Sequence, residues 1–218
     1  MHHRIVLIHA VSMAINPIKY AFTKHWPEAE IVNFLDDSLS SDRATSTGLD
    51  SAMMDRFSKL GDYAASINAS GILFTCSAFG PAIDMVAKNE TIPVLRPNEA
   101  MFDLALKTGR RIGMLTTFEN SIASMTKEFD EMSKNRRINS ILCTHLVPGA
   151  MEKLKKGDSR GHDKLVAEAA KKLDSCDTIM LAQFSMAPAK KIVSDATDKP
   201  VLTAPEAAAQ RMKTLLLQ

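Results

Sequence analysis

The 218-residue sequence lacks any apolar run approaching the roughly 18 residues needed to cross a bilayer, which argues against a membrane-spanning helix. An excess of charge of one sign is missing too. With 27 basic and 25 acidic side chains the net charge is +2, and the basic residues are scattered apart from pairs such as Lys155-Lys156 and Lys171-Lys172. No nucleic-acid surface is expected. Cysteine is scarce: Cys76, Cys143 and Cys176 are an odd number, without a CxxC or CxxxC pair. Neither a disulfide framework nor a zinc knuckle is therefore indicated. A Walker loop and a GxGxxG motif are also absent, so no nucleotide, and no other cofactor or metal, is expected. At the N-terminus, Met1-His2-His3-Arg4 passes directly into Ile5-Val6-Leu7-Ile8, too short for the apolar region of a signal peptide. A cytoplasmic location is the expectation.

What is present is the balance of a packed globular protein, 45% hydrophobic and 24% charged. Short β-branched or apolar runs alternate with longer amphipathic stretches. Strands are expected at Arg4-Ala10, Ile31-Leu35, Gly71-Thr75, Ile92-Leu95, Arg111-Thr116, Ile138-Leu146, Thr178-Leu181 and Pro200-Thr203. Helices fill the intervals, for example Leu49-Asn68, Pro81-Asn89, Glu119-Asn135, Asp163-Ser175 and Pro205-Leu217. This alternation is the signature of an α/β fold with parallel sheets and crossover helices.

The sequence is also written twice. Residues 72–100 lie over 179–207 at a shift of 107 positions with nine identities in twenty-nine, among them Ile72/Ile179, Pro81/Pro188, Val94/Val201 and Glu99/Glu206. The same shift lays Arg4-Ile5 on Arg111-Ile112 and Ile31 on Ile138. Two pseudo-symmetric Rossmann-like domains follow, one of residues 1–97 plus a C-terminal helix 205–218 and one of residues 98–204. Ligands of open α/β sheets bind outside the carboxyl ends of the strands, so a site in a cleft between the domains is expected. The shift pairs Cys76 with Gln183, each just past a strand end.

Cys76 stands between the buried strand Gly71-Ile72-Leu73-Phe74 and a helix that begins near Pro81. At a helix N-terminus the free amides favour a thiolate, which lowers the pKa from about 8.5 toward neutrality. Such a thiolate can remove a proton from carbon or attack an electrophile. Thr75 and Ser77, with nearby backbone amides, can hold a carboxylate or a developing enolate. The competing reading makes Cys76 a small buried hydrophobe, and that reading is preferred for Cys143 and Cys176. Thr116 and Thr117 follow the first strand of the second half, ahead of a helix beginning near Glu119, and suit an anion. Asp36-Asp37-Ser38-Leu39-Ser40-Ser41-Asp42 reads as an acidic, hydroxyl-rich loop without the spacing of a calcium site.

Phe74-Thr75-Cys76-Ser77, the opening Ile5-Val6-Leu7-Ile8-His9-Ala10, the strand Arg111-Ile112-Gly113-Met114-Leu115-Thr116-Thr117 and the segment Ile179-Met180-Leu181-Ala182-Gln183-Phe184-Ser185-Met186-Ala187 resemble the aspartate/glutamate racemase superfamily. That superfamily includes amino-acid racemases, hydantoin racemase, maleate isomerase and arylmalonate decarboxylase. The resemblance spans essentially the whole chain. It implies cofactor-independent chemistry on a small carboxylate, and a homodimer or higher homo-oligomer by analogy. It also implies that Cys76 is the first of two catalytic cysteines, with Thr116 and Thr117 binding a carboxylate and Ser12 and Asn16 lying where the family holds substrate; simple helix capping is the alternative for Ser12 and Asn16. The second cysteine falls at Gln183, whose amide neither accepts nor donates a proton usefully near pH 7.

Three readings stay open. An isomerase or racemase can recruit another acid/base, for which His9, His145 and His162 qualify by type. A lyase or decarboxylase needs only the one thiol, with Gln183 orienting a carboxylate and Ser185 supplying a hydroxyl. A non-catalytic carboxylate-binding protein would have kept the pocket and lost the second base.

Overall fold

The computed structural model describes residues 3–46 and 48–218; Met1 and His2, part of the N-terminal segment read above, lie outside the described residues. By packing the chain divides into two units, Met1–Pro97 with Ala208–Gln218, and Asn98–Ala207.

In the first unit the order is β1 (Arg4–His9), α1 (Ile15–His25), β2 (Glu30–Leu35), α2 (Ser38–Thr45), α3 (Ser51–Ser66), β3 (Gly71–Phe74), α4 (Gly80–Asn89) and β4 (Val94–Leu95). All strands are parallel in the order β2-β1-β3-β4. The second unit runs α5 (Glu99–Thr108), β5 (Arg111–Thr116), α6 (Ile122–Asn135), β6 (Ile141–Leu146), α7 (Ala150–Lys155), α8 (Ser159–Ala170), β7 (Thr178–Leu181), α9 (Lys190–Thr197) and β8 (Val201–Thr203). Its sheet is parallel in the matching order β6-β5-β7-β8. The last helix, α10 (Ala204–Leu217), ends against the first sheet, where Met212 sulfur lies 2.6 Å from the place a Cβ on Gly71 would take. A Cβ there would require the Met212 side chain to move.

Inner strands carry unbroken apolar runs because helices cover both faces of a parallel sheet; every residue of β3 and β7 is buried. The flanking strands β2 and β6 keep partly exposed positions. Arg4 and Arg111, Gly71 and Thr178, and Val94 and Val201 open equivalent strands 107 residues apart, as the internal repeat predicts. The register slips only at the second strand of each unit. Ile5 pairs with Ile31 and Ile112 with Leu142, so Ile138 is not the counterpart of Ile31 and precedes β6.

The acidic segment 36–42 is not a loop. Most of it forms the start of α2, tied down by Arg56 of α3, whose Nε reaches Asp36 at 2.7 Å, whose Nη1 reaches Asp42 at 2.6 Å, and whose Nη2 also contacts Ser38. A cation twenty positions downstream of Asp36 offsets the repulsion that makes this stretch read as irregular.

Candidate active site

Each sheet ends its third strand in a polar turn that leads into a helix. After β3, Cys76 takes an extended conformation and heads a 3-10 turn, Ser77–Phe79, that continues into α4 with Pro81 in its first turn. Phe74 and Phe79 on either side bury into one cluster with Phe57, at ring-centroid distances of 5.3 and 4.9 Å from Phe57. This packing fixes the backbone around Cys76, which is itself half-buried against the cluster. Arg43 of α2 adds a bond from Nε to the Ala78 carbonyl at 3.4 Å.

Desolvation pushes the Cys76 thiol above its ordinary value, and the Ala78 backbone amide, which favours the thiolate, offsets only part of that. This corrects the expectation of a pKa lowered toward neutrality. The amide contribution is there, but apolar packing outweighs it, and the resting group is the neutral thiol. Thr75 beside it is 7% exposed, and its hydroxyl lies 2.9 Å from His9 Nδ1. His9, the last residue of β1, has no exposed surface; its Nε2 lies 3.1 Å from Asn33 Oδ1. Ser77 is half-buried, whereas Ser12 and Asn16 after β1 are exposed.

The second sheet brings Thr116, Thr117 and Gln183 together with Ser121. Gln183 Oε1 accepts from the Thr117 amide at 2.9 Å and from the Thr117 hydroxyl at 3.3 Å. Gln183 Nε2 donates to Thr116 Oγ1 at 2.8 Å and to Ser121 Oγ at 3.2 Å. Two lone pairs and two N–H groups are all that a carboxamide has, so Gln183 is saturated by its own unit. Thr116 is fully buried, donates to the Phe118 carbonyl at 3.2 Å and accepts from the Phe118 amide at 3.3 Å. Gln183 thus braces the turn after β5 against the turn after β7. Ser185 is half-buried in the 3-10 turn Phe184–Ala189.

Among the remaining candidates, His145 is half-buried on β6, its pKa lowered by burial and by Lys172. His162 lies in the first turn of α8, buried, with Nδ1 2.7 Å from Asp163; Asp158 caps that helix by accepting from the Gly161 amide. Cys176 is buried in the second core, and Cys143 packs against that core. Sequence reasoning missed Asn33, Arg43 and Ser121, each of which reaches its partner only through the fold.

Two parallel α/β units of one strand order, each placing a polar turn at the carboxyl end of its third strand, define a duplicated α/β protein. The chain belongs to the Asp/Glu/Hydantoin racemase family, whose model matches residues 18–212. Among solved structures it is similar to allantoin racemase from Klebsiella pneumoniae, at 18% identity over 99% of this chain and 88% of the other, with a TM-score of 0.77. It is similar to glutamate racemase from Bacillus anthracis, at 14% identity, 99% and 82% coverage and a TM-score of 0.75. A point variant of arylmalonate decarboxylase matches at 14% identity, 98% and 93% coverage and a TM-score of 0.69. At these identities the likeness is one of fold. A search of the curated proteins finds no match. Among the described residues, no helix is long and apolar enough to cross a membrane.

Proposed function

We propose that this protein is a cofactor-independent isomerase of a small, amino-acid-like carboxylate in which Cys76 moves the proton at carbon. The observation that carries the reading is the half-buried thiol at the carboxyl end of β3, set on a rigid turn ahead of α4. A neutral thiol in an apolar setting is an acid as it stands and becomes a base once a bound substrate or a neighbouring group draws off its proton. On this reading the backbone amides after Cys76 and the hydroxyl of Ser77 meet the substrate, and Ser12 borders it. Thr116, Thr117 and Ser185 are the candidate ligands of the second unit, the two threonines held within the Gln183 network. Gln183 is a positioning residue rather than a second acid/base.

A single thiol, with a saturated amide at the repeat-equivalent position, favours a second reading. Protonation from a single side is what a lyase or decarboxylase requires, and the similarity to an arylmalonate decarboxylase fold is consistent with that chemistry.

The test is incubation of wild type and Cys76→Ala with amino acids, hydroxy acids, maleate and malonates in D2O. Deuterium at carbon that depends on Cys76, without loss of CO2, supports the isomerase; deuterium with loss of CO2 selects the lyase. Exchange that is equal in both proteins removes Cys76 from the mechanism.

A further inference from the structure

The carboxyl end of the first sheet holds a buried imidazole that the proposed reaction does not yet use. His9 closes β1 with both ring nitrogens engaged, Nδ1 at 2.9 Å from Thr75 Oγ1 and Nε2 at 3.1 Å from Asn33 Oδ1. A carboxamide oxygen only accepts, so the hydrogen between Nε2 and Asn33 belongs to the ring. Burial holds the imidazole neutral by pushing its pKa below 6.5. In a neutral ring protonated at Nε2, Nδ1 is an acceptor, and the hydrogen between Nδ1 and Oγ1 is the threonine's own. Thr75 has one other acceptor within reach, the Ile8 carbonyl at 3.3 Å, which is the longer and weaker contact. The Thr75 amide also donates to Ile8 at 3.0 Å, so the hydroxyl is pinned where β1 and β3 end together.

We infer that His9 and Asn33 are positioning residues that lock the Thr75 hydroxyl as a hydrogen-bond acceptor, so that the substrate group meeting it is an N–H or O–H donor rather than a carboxylate. The inference rests on the proposed function for the identity of the site, and it revises the expectation that Thr75 holds a carboxylate. With its only hydrogen directed inward, Thr75 Oγ1 offers lone pairs one residue before the thiol. Those lone pairs repel an anion and suit the amino, ureido or hydroxyl substituent of a small carboxylate. Asn33 acts at one remove, through the tautomer it selects.

Two measurements test this on the full-length protein. The first is ¹⁵N NMR of histidine-labelled protein near pH 7.5, with His9 assigned by comparison with His9→Gln. The expected spectrum is a neutral ring carrying its proton on Nε2; a proton on Nδ1, or a charged ring, overturns the inference. The second is calorimetric binding of L-aspartate and succinate, two dicarboxylates that differ by an amino group. Thr75→Val is expected to weaken L-aspartate about tenfold, the worth of one hydrogen bond, and to leave succinate unchanged. Thr75→Ser keeps the hydroxyl and is expected to restore L-aspartate binding. Asn33→Asp at an exposed position favours a doubly protonated ring that donates to Thr75, and is expected to weaken L-aspartate as Thr75→Val does while the thermal transition is retained. Equal weakening of both ligands in Thr75→Val overturns the inference. Failure of the wild type to bind either ligand counts against the proposed function, while the tautomer still decides the roles of His9 and Asn33.

Discussion

The two units share a strand order but end their third strands in opposite chemical states. In the first, Cys76 stands half-buried over three phenylalanines, a neutral acid in an apolar setting. In the second, the equivalent residue is Gln183, with every hydrogen-bonding position engaged inside the unit. The cores beneath them differ in kind. Phe57, Phe74 and Phe79 support the first, whereas the second is built from Leu, Ile, Val, Ala and Met side chains with Cys176. A duplicated scaffold thus keeps its backbone plan while one copy holds a thiol and the other a saturated amide at the equivalent position.

Removing the thiol attacks this contrast hardest. Cys76→Ala is expected to lower turnover by about 100-fold to 10,000-fold, the range for loss of a positioned acid or base, with the thermal transition little changed; steady-state kinetics and differential scanning calorimetry measure the two. Phe57→Ala next strips the aromatic support under Cys76 and should cost about 3–5 kcal/mol in urea unfolding. Gln183→Ala leaves the Thr117 amide and the Thr116 and Ser121 hydroxyls short of partners, an expected loss of about 1–3 kcal/mol. Its effect on turnover should be smaller than that of Cys76→Ala; an equal effect would make the amide a participant rather than a brace.

A pH series probes the buried histidine of the first unit. Because the folded pKa of His9 lies below 6.5, the unfolded chain binds more protons as pH falls. The stability from neutral His9 is full above about pH 6.5 and is lost as pH drops toward the folded value. Urea midpoints measured from pH 8 to pH 5 should fall more steeply for wild type than for His9→Gln. The smallest effect is expected at Arg56. Its ion pairs with Asp36 and Asp42 are partly exposed, so Arg56→Ala should cost about 1 kcal/mol or less and loosen α2, seen as faster amide hydrogen exchange over residues 38–45.

Much of the architecture was legible because parallel strands covered on both faces leave plain apolar runs, and because the 107-residue repeat fixed which run matched which. What escaped were pairings that no local pattern announces. Asp36 to Asp42 reads as irregular until Arg56 is brought beside it, and Ile138 matches Ile31 in sequence although Leu142 takes the equivalent place. The position of Cys76 past a strand and before a helix was readable. The state of its thiol was not, because the helix amides are visible in the order of elements whereas desolvation by burial depends on packing. Gln183 was readable as a departure from a two-cysteine pattern, but its saturation by Thr116, Thr117 and Ser121 exists only in three dimensions.

The account turns on proton delivery from one side by one thiol. Its most direct test is the stereochemistry of deuterium in the product formed in D2O from whichever panel substrate shows Cys76-dependent exchange, followed at early conversion by NMR. Label on a single face, abolished in Cys76→Ala and retained in Gln183→Ala, is the predicted result. Label on both faces at equal rates, or undiminished labelling without Cys76, would contradict it.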